Sequence, residues 1–499
     1  MAEIMQFTKD QKKALDYIEN NNWDIFILTG RAGTGKSTLL EQIQTIYKNK
    51  KFKVYPGAFT GRAAAVLRQK GLDNARTIHY YLYGRPTLYV EFKNFFKLVK
   101  LKLTRKLNDS ELWIIDESSM LDENLTTLLL NHIHNPKKAL GRFGQKLQEL
   151  FADDTYDVDS TKKIIFCGDP NQLRPIFGNK MPALENSSFD EQFKVKQFEL
   201  TTLIRHQSNP GIHKAALAIE DNANKIISEN FIDNESIKVF QNPDNEEIVD
   251  VFLKLYKKNP LQIKYLSFLN QLVHEFNLFI RTRIHNIDPR IKLVPNELVH
   301  VTKNNYFYDL WNGDHLIVNE VGKTFEGPEL IIPCFKVDDS GKKLEDNKGN
   351  PLVIEKPISL SFTKIKVTHT ETNKTQELFC IDETLNNAKG DNWIFIKREL
   401  IAHEVTQYLS KFFFYRFPEF EGTEWDSFKE ERETDPYNNA LFLNYSYAIT
   451  GHKAQGGEWN NIIVDLATRG NRLPKGWTYT AITRATEKAF IISNLRKNQ

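Results

Sequence analysis

The sequence has few cysteines and no long apolar run, and both absences exclude classes of protein. Its three cysteines form no Cys-x-x-Cys pair and no metal-ligand spacing, so we expect a reduced, intracellular protein without structural zinc. No apolar stretch approaches the ~18 residues that a membrane span needs. The first residues also lack the apolar segment of a secretory signal, so none is expected.

An excess of charge of one sign is also absent. The 67 Lys and Arg against 64 Asp and Glu leave a formal net charge of +3. This total neither supports nor excludes binding of nucleic acid, which depends on clustered charge. A chain of 499 residues is too long for one core and predicts two to four domains. We find no internal repeat and no zinc or nuclease constellation.

The stretch GRAGTGKS fits the phosphate-binding pattern G-x-x-x-x-G-K-[ST] at Gly30, Gly35, Lys36 and Ser37. The apolar residues before it predict a buried strand, and the residues after it predict an amphipathic helix. In that setting the backbone N–H groups surround phosphates at the positive end of the helix. Lys36 is expected to reach the β and γ phosphates of ATP, and the Ser37 hydroxyl to bind Mg²⁺.

Two more predicted strands end in polar residues. ELWII is followed by Asp116 and Glu117, and KKIIFC is followed by GDPNQ, which contains Gln172. We predict that Asp116 binds Mg²⁺, that Glu117 orients or deprotonates the attacking water, and that Gln172 senses the γ phosphate. Three parallel strands that end in phosphate chemistry predict a RecA-like, doubly wound α/β sheet.

Ordered motifs along nearly the whole chain resemble the superfamily 1 DNA helicases of the Dda/RecD-like branch, which moves 5′-to-3′. They begin with FTKDQKKAL and continue through AFTGRAAAVL, ARTIHYYL, DESS, GDPNQLRP, ELTTLIRH and YLSFLNQLVHEFNLFIR. YAITGHKAQGGEWNNIIVDL and WTYTAITRATEKAFII complete the series. The chain departs from the family at Phe59 and Arg174, where proline is more common, and at Gly451, where an apolar residue is.

The resemblance implies roles for individual residues. The implied catalytic set is Lys36, Asp116, Glu117, Gln172, Arg205 and Arg484, with Ser37 and Asp116 on Mg²⁺. The implied ATP-binding residues are Gln11, Gly30, Ala32, Gly33, Thr34, Gly35, Lys36, Ser37, Thr38, Gly456 and Glu458. The implied DNA contacts are Thr60, Arg62, His79, Phe95, Phe96, Asn270, Thr450, His452 and Lys453.

Arginines from a facing domain give a reason for two RecA-like halves. A nucleotide site that such arginines complete hydrolyses ATP only when the two halves close, because each arginine neutralises charge in the transition state. Two alternatives stay open from the sequence. Arg205 can lie on a surface helix, and Arg484 can pair with Glu487.

We predict an α/β fold of two RecA-like doubly wound domains. The first covers residues 1–205 and contains an insertion at 84–108, a pin subdomain in the resembling family. The second covers 206–281 and 438–499. Between its parts, residues 282–437 contain short β-type runs broken by Asn, Gly, Asp and Pro, which predict a β-rich insertion. In the resembling family that insertion is SH3-like.

The expected function is an ATP-dependent helicase that acts on single-stranded and forked duplex DNA. The alternatives are a translocase or protein-displacing motor that separates strands poorly, a nucleotide-switched binding module, and a P-loop phosphotransferase. We expect a monomer that works in replication, recombination or repair, with proteins of those processes as candidate partners and no membrane. Its expected location is the cytoplasm of a bacterial cell or a phage-infected host.

The insertion at 84–108 contains KNFFKLVKLKLTRK, with six basic residues and no acidic one. Lysines suit phosphates and the adjacent Phe95 and Phe96 suit a terminal base pair, so this segment predicts a wedge. The alternative is an amphipathic helix, because Phe92, Phe96, Val99 and Leu103 follow helical spacing.

Replacing Phe95 and Phe96 together by alanine distinguishes these readings. A wedge predicts strongly reduced unwinding with near-normal DNA-stimulated ATPase, since stacking contributes about 1–3 kcal/mol per base. A buried helix predicts that unwinding, ATPase and melting temperature all fall, because each truncated core phenylalanine costs ~3–5 kcal/mol. Measuring all three on the double variant decides which holds.

Overall fold

A computed structural model provides the structure of the chain. It describes residues 7–83, 110–134, 161–175, 178, 180–202, 211–212, 215, 236–241, 243–288, 293–336, 344–346, 352–381, 393–423, 427–468 and 473–493. Arg205, Phe95, Phe96 and the whole predicted insertion at 84–108 therefore lie outside the described residues. None of the helices in the described ranges is long and apolar enough to cross a membrane.

The first sheet has six parallel strands in the order β3-β2-β4-β5-β1-β6. In the central pairing, Ile25 of β1 lies opposite Ile164 of β5. The carboxyl ends of β1, β4 and β5 therefore meet at one edge, as the sequence predicts. The strands are β1 (Ile25–Gly30), β2 (Lys53–Ala58), β3 (Arg76–Thr77), β4 (Glu111–Asp116), β5 (Lys162–Gly168) and β6 (Val195–Leu200).

Helices cover both faces of this sheet. Phe26 and Leu28 pack into one hydrophobic core, whereas Ile25 and Ile27 pack into another. Alternate residues of a strand point to opposite faces, so a strand with helices on both sides is apolar throughout. The helices are α1 (Lys9–Asn20), α2 (Lys36–Asn49) and α3 (Gly61–Gln69) on the first face, with α4 (Ile78–Tyr83) and α5 (Glu123–His134) on the second.

A second, five-stranded sheet has the order β16-β8-β17-β18-β7. Its pairs β8–β17, β17–β18 and β18–β7 are parallel. Two parallel sheets of this kind confirm the predicted fold class, while the two insertions stay predictions. The elements are β7 (Ile237–Gln241), α6 (Asn245–Lys258), β8 (Ile263–Ser267), β16 (Ala448–Thr450), β17 (Trp459–Asp465), β18 (Ala485–Ser493) and the helix from Trp477 to Ile482, which is labelled α10.

An antiparallel sheet occupies much of the chain between β8 and β16. Its order is β14-β13-β10-β9-β15, and β11 and β12 form a separate two-stranded sheet. Short strands with frequent turns are what the broken β-type runs predict. The strands are β9 (Leu298–Val301), β10 (His315–Glu326), β11 (Leu330–Phe335), β12 (Val353–Ile358), β13 (Ser361–His369), β14 (Thr375–Ile381) and β15 (Leu443–Tyr445).

The same part of the chain contains helices that the sequence interpretation omits. Helix α8 (Trp393–Arg416) has 24 residues and is followed by α9 (Lys429–Thr434). Val405, Tyr408, Leu409 and Phe412 of α8 pack against buried residues of the β strands. These positions follow the i, i+3, i+4, i+7 spacing of an amphipathic helix, which is the signal that predicts α8.

The chain divides into two compact units. Described residues up to 83, from 110 to 268 and from 450 onwards form the first, and residues 269–449 form the second. Helix α7 (Asn270–His285), which the sequence analysis includes in the second RecA-like domain, groups with the second unit. Its Asn277 side chain accepts hydrogen bonds from the amides of Tyr447 and Ala448 at 3.0 and 2.8 Å. The domain boundaries remain predictions.

A buried ion pair also joins α7 to the start of β9. Arg281 and Glu297 are both inaccessible to solvent, and Arg281 Nη2 lies 3.2 Å from Glu297 Oε2. The guanidinium stacks on Tyr445, with 4.3 Å from its carbon to the ring centroid. Burial raises the pKa of Glu297, and the hydrogen bond and charge of Arg281 oppose that rise. Removing one partner leaves an uncompensated charge in the interior.

Glu297→Ala is therefore expected to destabilise the second unit by about 3–5 kcal/mol, since it leaves the buried Arg281 without its counter-charge. Lys366→Ala is the control, because its pair with Glu320 is exposed and contributes about 0–1 kcal/mol. Urea unfolding followed by circular dichroism measures both. Equal midpoints for the two variants would contradict a structural role for the buried pair.

Candidate nucleotide and nucleic-acid site

The phosphate-binding loop joins β1 to α2. Gly33 and Gly35 have φ angles of +86° and +76°, a left-handed conformation that glycine adopts without steric cost. Lys36 begins α2, and its Nζ donates to the carbonyl oxygens of Gly30 and Arg31 at 2.6 and 3.0 Å. The loop and first helical turn have the backbone conformation that an anion site needs, and the binding of phosphate there stays a prediction. They contain the expected ATP-binding residues Gly30, Ala32, Gly33, Thr34, Gly35, Lys36, Ser37 and Thr38.

Gln11 lies against this loop. Its Nε2 donates to the carbonyl oxygen of Gly35 at 3.2 Å, and its Oε1 accepts from the Thr8 amide at 2.9 Å. Thr8 and Gln11 form a capping box at the start of α1. The amide is thereby fixed beside the nucleotide loop, and its role in ATP binding stays a prediction.

The two adjacent carboxylates follow β4. The amide of Glu117 donates to Asp116 Oδ1 at 2.9 Å, and Glu117 has φ +52°, which is uncommon for a residue with a side chain. Such a conformation costs about 1–3 kcal/mol and is concentrated at functional sites.

The electrostatics of Glu117 show which charged groups surround it. Burial is the main reason that the pKa of Glu117 rises to about 7, and the charge of Asp116 raises it further. Arg484 and Lys36 act in the opposite direction, and Asp169 also raises it. The charged groups that act on Glu117 therefore come from the end of β4, the start of α2, the loop after β5 and the loop between α10 and β18.

The Arg484 guanidinium is buried within the second half of the site. Its Nε and Nη1 donate to the carbonyl oxygens of Thr480 and Gly457 at 3.1 and 3.3 Å. Glu487, the alternative partner, accepts from Asn460 Nδ2 at 2.6 Å. Backbone oxygens thus hold the guanidinium, and its role in completing the nucleotide site stays a prediction.

Gln172 has an unused acceptor in the interior. Its side chain is 5% exposed, and its Oε1 has no hydrogen-bond partner among the described residues. A buried acceptor without a donor costs about 1–3 kcal/mol, so such a group indicates a ligand or water. An acceptor of this kind can accept a hydrogen bond from water and cannot bond a phosphate oxygen, so the sensing of the γ phosphate by Gln172 stays a prediction.

Oxygen donors suited to Mg²⁺ are present at the same edge. The Ser37 hydroxyl lies in the first turn of α2, and the Asp116 carboxylate lies at the end of β4. No cluster of three His, Cys, Asp or Glu that holds a metal unaided occurs within the described part of the chain. Mg²⁺ is usually held by one or two protein oxygens together with phosphate oxygens, so the donor set fits that ion.

Asp169 is a site residue that the sequence reasoning missed. It directly follows β5 and is 1% exposed. Its Oδ2 accepts from the Ala32 amide of the nucleotide loop at 3.0 Å. The signal for it is the one that identifies Asp116, an acidic residue directly after a buried strand of the same sheet.

The expected DNA contacts of the first sheet differ in exposure. Thr60 caps α3, where its Oγ1 accepts from the Ala63 amide at 3.1 Å, and His79 is exposed at the start of α4. Arg62 is buried instead, with its guanidinium carbon 5.5 Å from the Trp459 ring centroid. Its burial leaves little of the side chain to offer a DNA strand.

The remaining expected contacts lie on other elements. Asn270 begins α7 and is exposed, and burial lowers the pKa of His452 in the turn after β16. Gly456, an expected ATP-binding residue, has φ +77°. A Cβ atom built on it would lie 3.8 Å from the Ala63 Cβ. Of the other expected DNA contacts, Thr450 is buried and Lys453 is partly buried, whereas Glu458, an expected ATP-binding residue, is exposed.

Two family models match the sequence. An AAA domain matches residues 6–149, and a UvrD-like helicase C-terminal domain matches residues 445–492. An uncharacterized protein of Methanocaldococcus jannaschii is 26% identical over 93% of this chain and 36% of its own length. The RecD subunit of the RecBCD enzyme of Buchnera aphidicola is 25% identical over 94% of this chain and 70% of its own length.

Among solved structures, the Pif1 helicase of Candida albicans has a similar fold. The TM-score is 0.50 with 16% sequence identity, over 99% of this chain and 95% of that one. The chain thus spans about a third of the first curated relative and most of the second. These matches confirm the resemblance to superfamily 1 helicases of the Pif1/RecD type.

The departure at Gly451 has a packing cause. A Cβ at this position would lie 2.5 Å from Nε1 and 2.8 Å from Cε2 of Trp477. Trp477 is inaccessible to solvent and packs edge-on against Phe268, with 6.2 Å between ring centroids. The indole occupies the space that a side chain would need, so glycine is required here.

Gly451→Ala is expected to lower the free energy of unfolding by about 1–3 kcal/mol, because the added methyl overpacks a rigid indole. Gly178→Ala is the control, since a Cβ there meets nothing closer than 3.8 Å. Thermal melting compares the two with the parent chain. A melting temperature for Gly451→Ala that equals that of the control would disprove the packing account.

Proposed function

We propose that this chain is an ATP-dependent DNA helicase that moves 5′-to-3′ along single-stranded DNA and opens duplex DNA. The position of Arg484 carries the proposal. This arginine lies between α10 and β18, in the part of the first unit that contains the second sheet. Its charge nevertheless lowers the pKa of Glu117 beside the nucleotide loop. A site completed by groups from two sheets turns over only when both are in place, which links hydrolysis to movement between them.

Each polar group of the site then has a task. Lys36 and the loop amides bind the phosphates, and Ser37 and Asp116 hold Mg²⁺, which neutralises phosphate charge when bound. Glu117 orients and deprotonates the attacking water. Its pKa of about 7 suits a general base at neutral pH. Gln172 offers its unused Oε1 to that water, and Arg484 stabilises charge that develops in the transition state.

The DNA partner is proposed from the motifs and from the relatives. Thr60 and His79 lie at the carboxyl edge of the first sheet, while Thr450 ends β16 of the second sheet and His452 follows it. Such positions contact the phosphates of a single strand, so binding should weaken steeply with salt and depend little on base sequence. Single-stranded and forked duplex DNA are the proposed substrates, in replication, recombination or repair, and the proposed active form is a monomer.

The proposal predicts a DNA-stimulated ATPase that depends on Arg484. Single-stranded DNA should raise the ATP turnover of the parent chain many-fold. Arg484→Ala should lower that stimulated turnover about 10³-fold, because the arginine acts on the transition state. Nucleotide binding should persist in this variant, and Arg283→Ala, which removes an exposed arginine of α7, is the control.

Steady-state hydrolysis with and without a single-stranded oligonucleotide gives both results. Turnover in the parent chain that is indifferent to DNA would favour a nucleotide switch or a phosphotransferase. Normal turnover in Arg484→Ala would refute the site formed by two sheets.

A further inference from the structure

The Asp169 carboxylate joins the nucleotide loop to the second sheet's half of the unit. Its Oδ2 accepts hydrogen bonds from the Ala32 amide at 3.0 Å and from the Tyr479 hydroxyl at 2.9 Å. Its Oδ1 accepts from the Asn171 amide at 3.0 Å. Tyr479 is 3% exposed, so this contact is shielded from water. A hydrogen bond to a carboxylate is stronger in such an interior than in water.

Two further contacts fix α10 against the same loop. The Leu173 amide donates to Thr480 Oγ1 at 2.9 Å. Gly476, which precedes α10, has φ +83°, and a Cβ built on it would lie 2.4 Å from the Gln172 carbonyl oxygen. A glycine is therefore needed for this approach. The first turn of α10 is held to the loop that also contains Asp169 and Gln172.

Arg484 lies five residues after Tyr479, directly beyond α10. The Arg484 Nε donates to the Thr480 carbonyl oxygen at 3.1 Å, and Nη2 lies 3.2 Å from Thr483 Oγ1. Helix α10 is only six residues long, so little flexible chain separates the tyrosine from the arginine. The place where Tyr479 is held therefore determines where the guanidinium lies relative to Glu117.

We propose that the hydrogen bond between Tyr479 and Asp169 positions Arg484 for ATP hydrolysis and couples that position to the nucleotide loop through Ala32. Tyr479 is in this account a positioning residue that acts through Arg484. The inference rests on the proposed function, because it gives Arg484 its role in turnover. It adds a residue pair outside the predicted catalytic and DNA-binding sets.

Tyr479→Phe tests the proposal, because it removes one hydroxyl and keeps the ring. The expected result is a fall of about tenfold or more in the kcat of DNA-stimulated ATP hydrolysis, the loss that corresponds to one hydrogen bond to a charged group. The KM for ATP should change little, since Arg484 acts in the transition state. A raised KM with normal kcat would overturn the proposal.

Tyr265→Phe is the matched control. The Tyr265 hydroxyl donates to the Asp465 carboxylate, both residues are 5% exposed, and both lie within the second sheet. This variant also loses a buried hydrogen bond between tyrosine and aspartate, but one that does not reach the nucleotide loop. Its kcat should equal that of the parent chain. An equal fall in both variants would attribute the effect to general destabilisation and overturn the proposal.

A second background tests the route of action. If Tyr479 acts through Arg484, adding Tyr479→Phe to Arg484→Ala should cause no further fall in kcat. Independent, multiplying effects would refute the proposed positioning. Asp169→Asn is the second variant if Tyr479→Phe does not fold, since it keeps the side-chain size and removes the negative charge that strengthens the hydrogen bond from Tyr479. It too should lower kcat in the parent chain and not in Arg484→Ala.

The two proposals fail in different ways. Parent turnover that does not respond to single-stranded DNA refutes the helicase function. In that case the kcat of DNA-independent ATP hydrolysis is measured for the same variants. A normal kcat in Tyr479→Phe then refutes the positioning role of Tyr479. With stimulation intact, a normal stimulated rate in Tyr479→Phe refutes the positioning role alone.

Discussion

The site depends on one buried carboxylate that three segments of chain share. Asp169 accepts from the nucleotide loop, from its own loop after β5 and from α10 of the second sheet's half. A buried carboxylate is costly unless donors surround it, so the three segments must stay together for the charge to be tolerated. The Asp169 carboxylate thereby joins the nucleotide loop to α10.

The charges of the site are balanced against each other and against burial. Asp116, Glu117 and Asp169 bring three carboxyl groups to the edge of a sheet, and Lys36 and Arg484 bring two positive groups. A bound nucleotide would add further negative charge, which the loop amides, the lysine and Mg²⁺ would offset. In the proposed function, Arg484 adds a positive charge to the site from the part of the chain that contains the second sheet. Its hydrogen bonds to backbone oxygens fix the direction of the guanidinium.

Much of the first sheet follows from local pattern. Apolar strands that end in Gly30, Asp116 and Gly168 predict both the parallel sheet and the edge at which its functional groups meet. Position along the chain does not reveal that Asp169 touches Tyr479, because the two are 310 residues apart and meet only through tertiary structure. Nor does it reveal that Arg62 is buried under Trp459, since an arginine in a DNA-contact motif suggests exposure. Helix α8 was not predicted because β-type runs precede it in the sequence, although its apolar residues follow helical spacing.

We propose that hydrolysis at this site drives movement along single-stranded DNA in one direction. Strand displacement on matched forked, 5′-tailed and 3′-tailed duplexes, with ATP present, measures that direction. We expect release of the displaced strand from the forked and 5′-tailed substrates and little from the 3′-tailed one. Efficient displacement on the 3′-tailed duplex with none on the 5′-tailed one would contradict it.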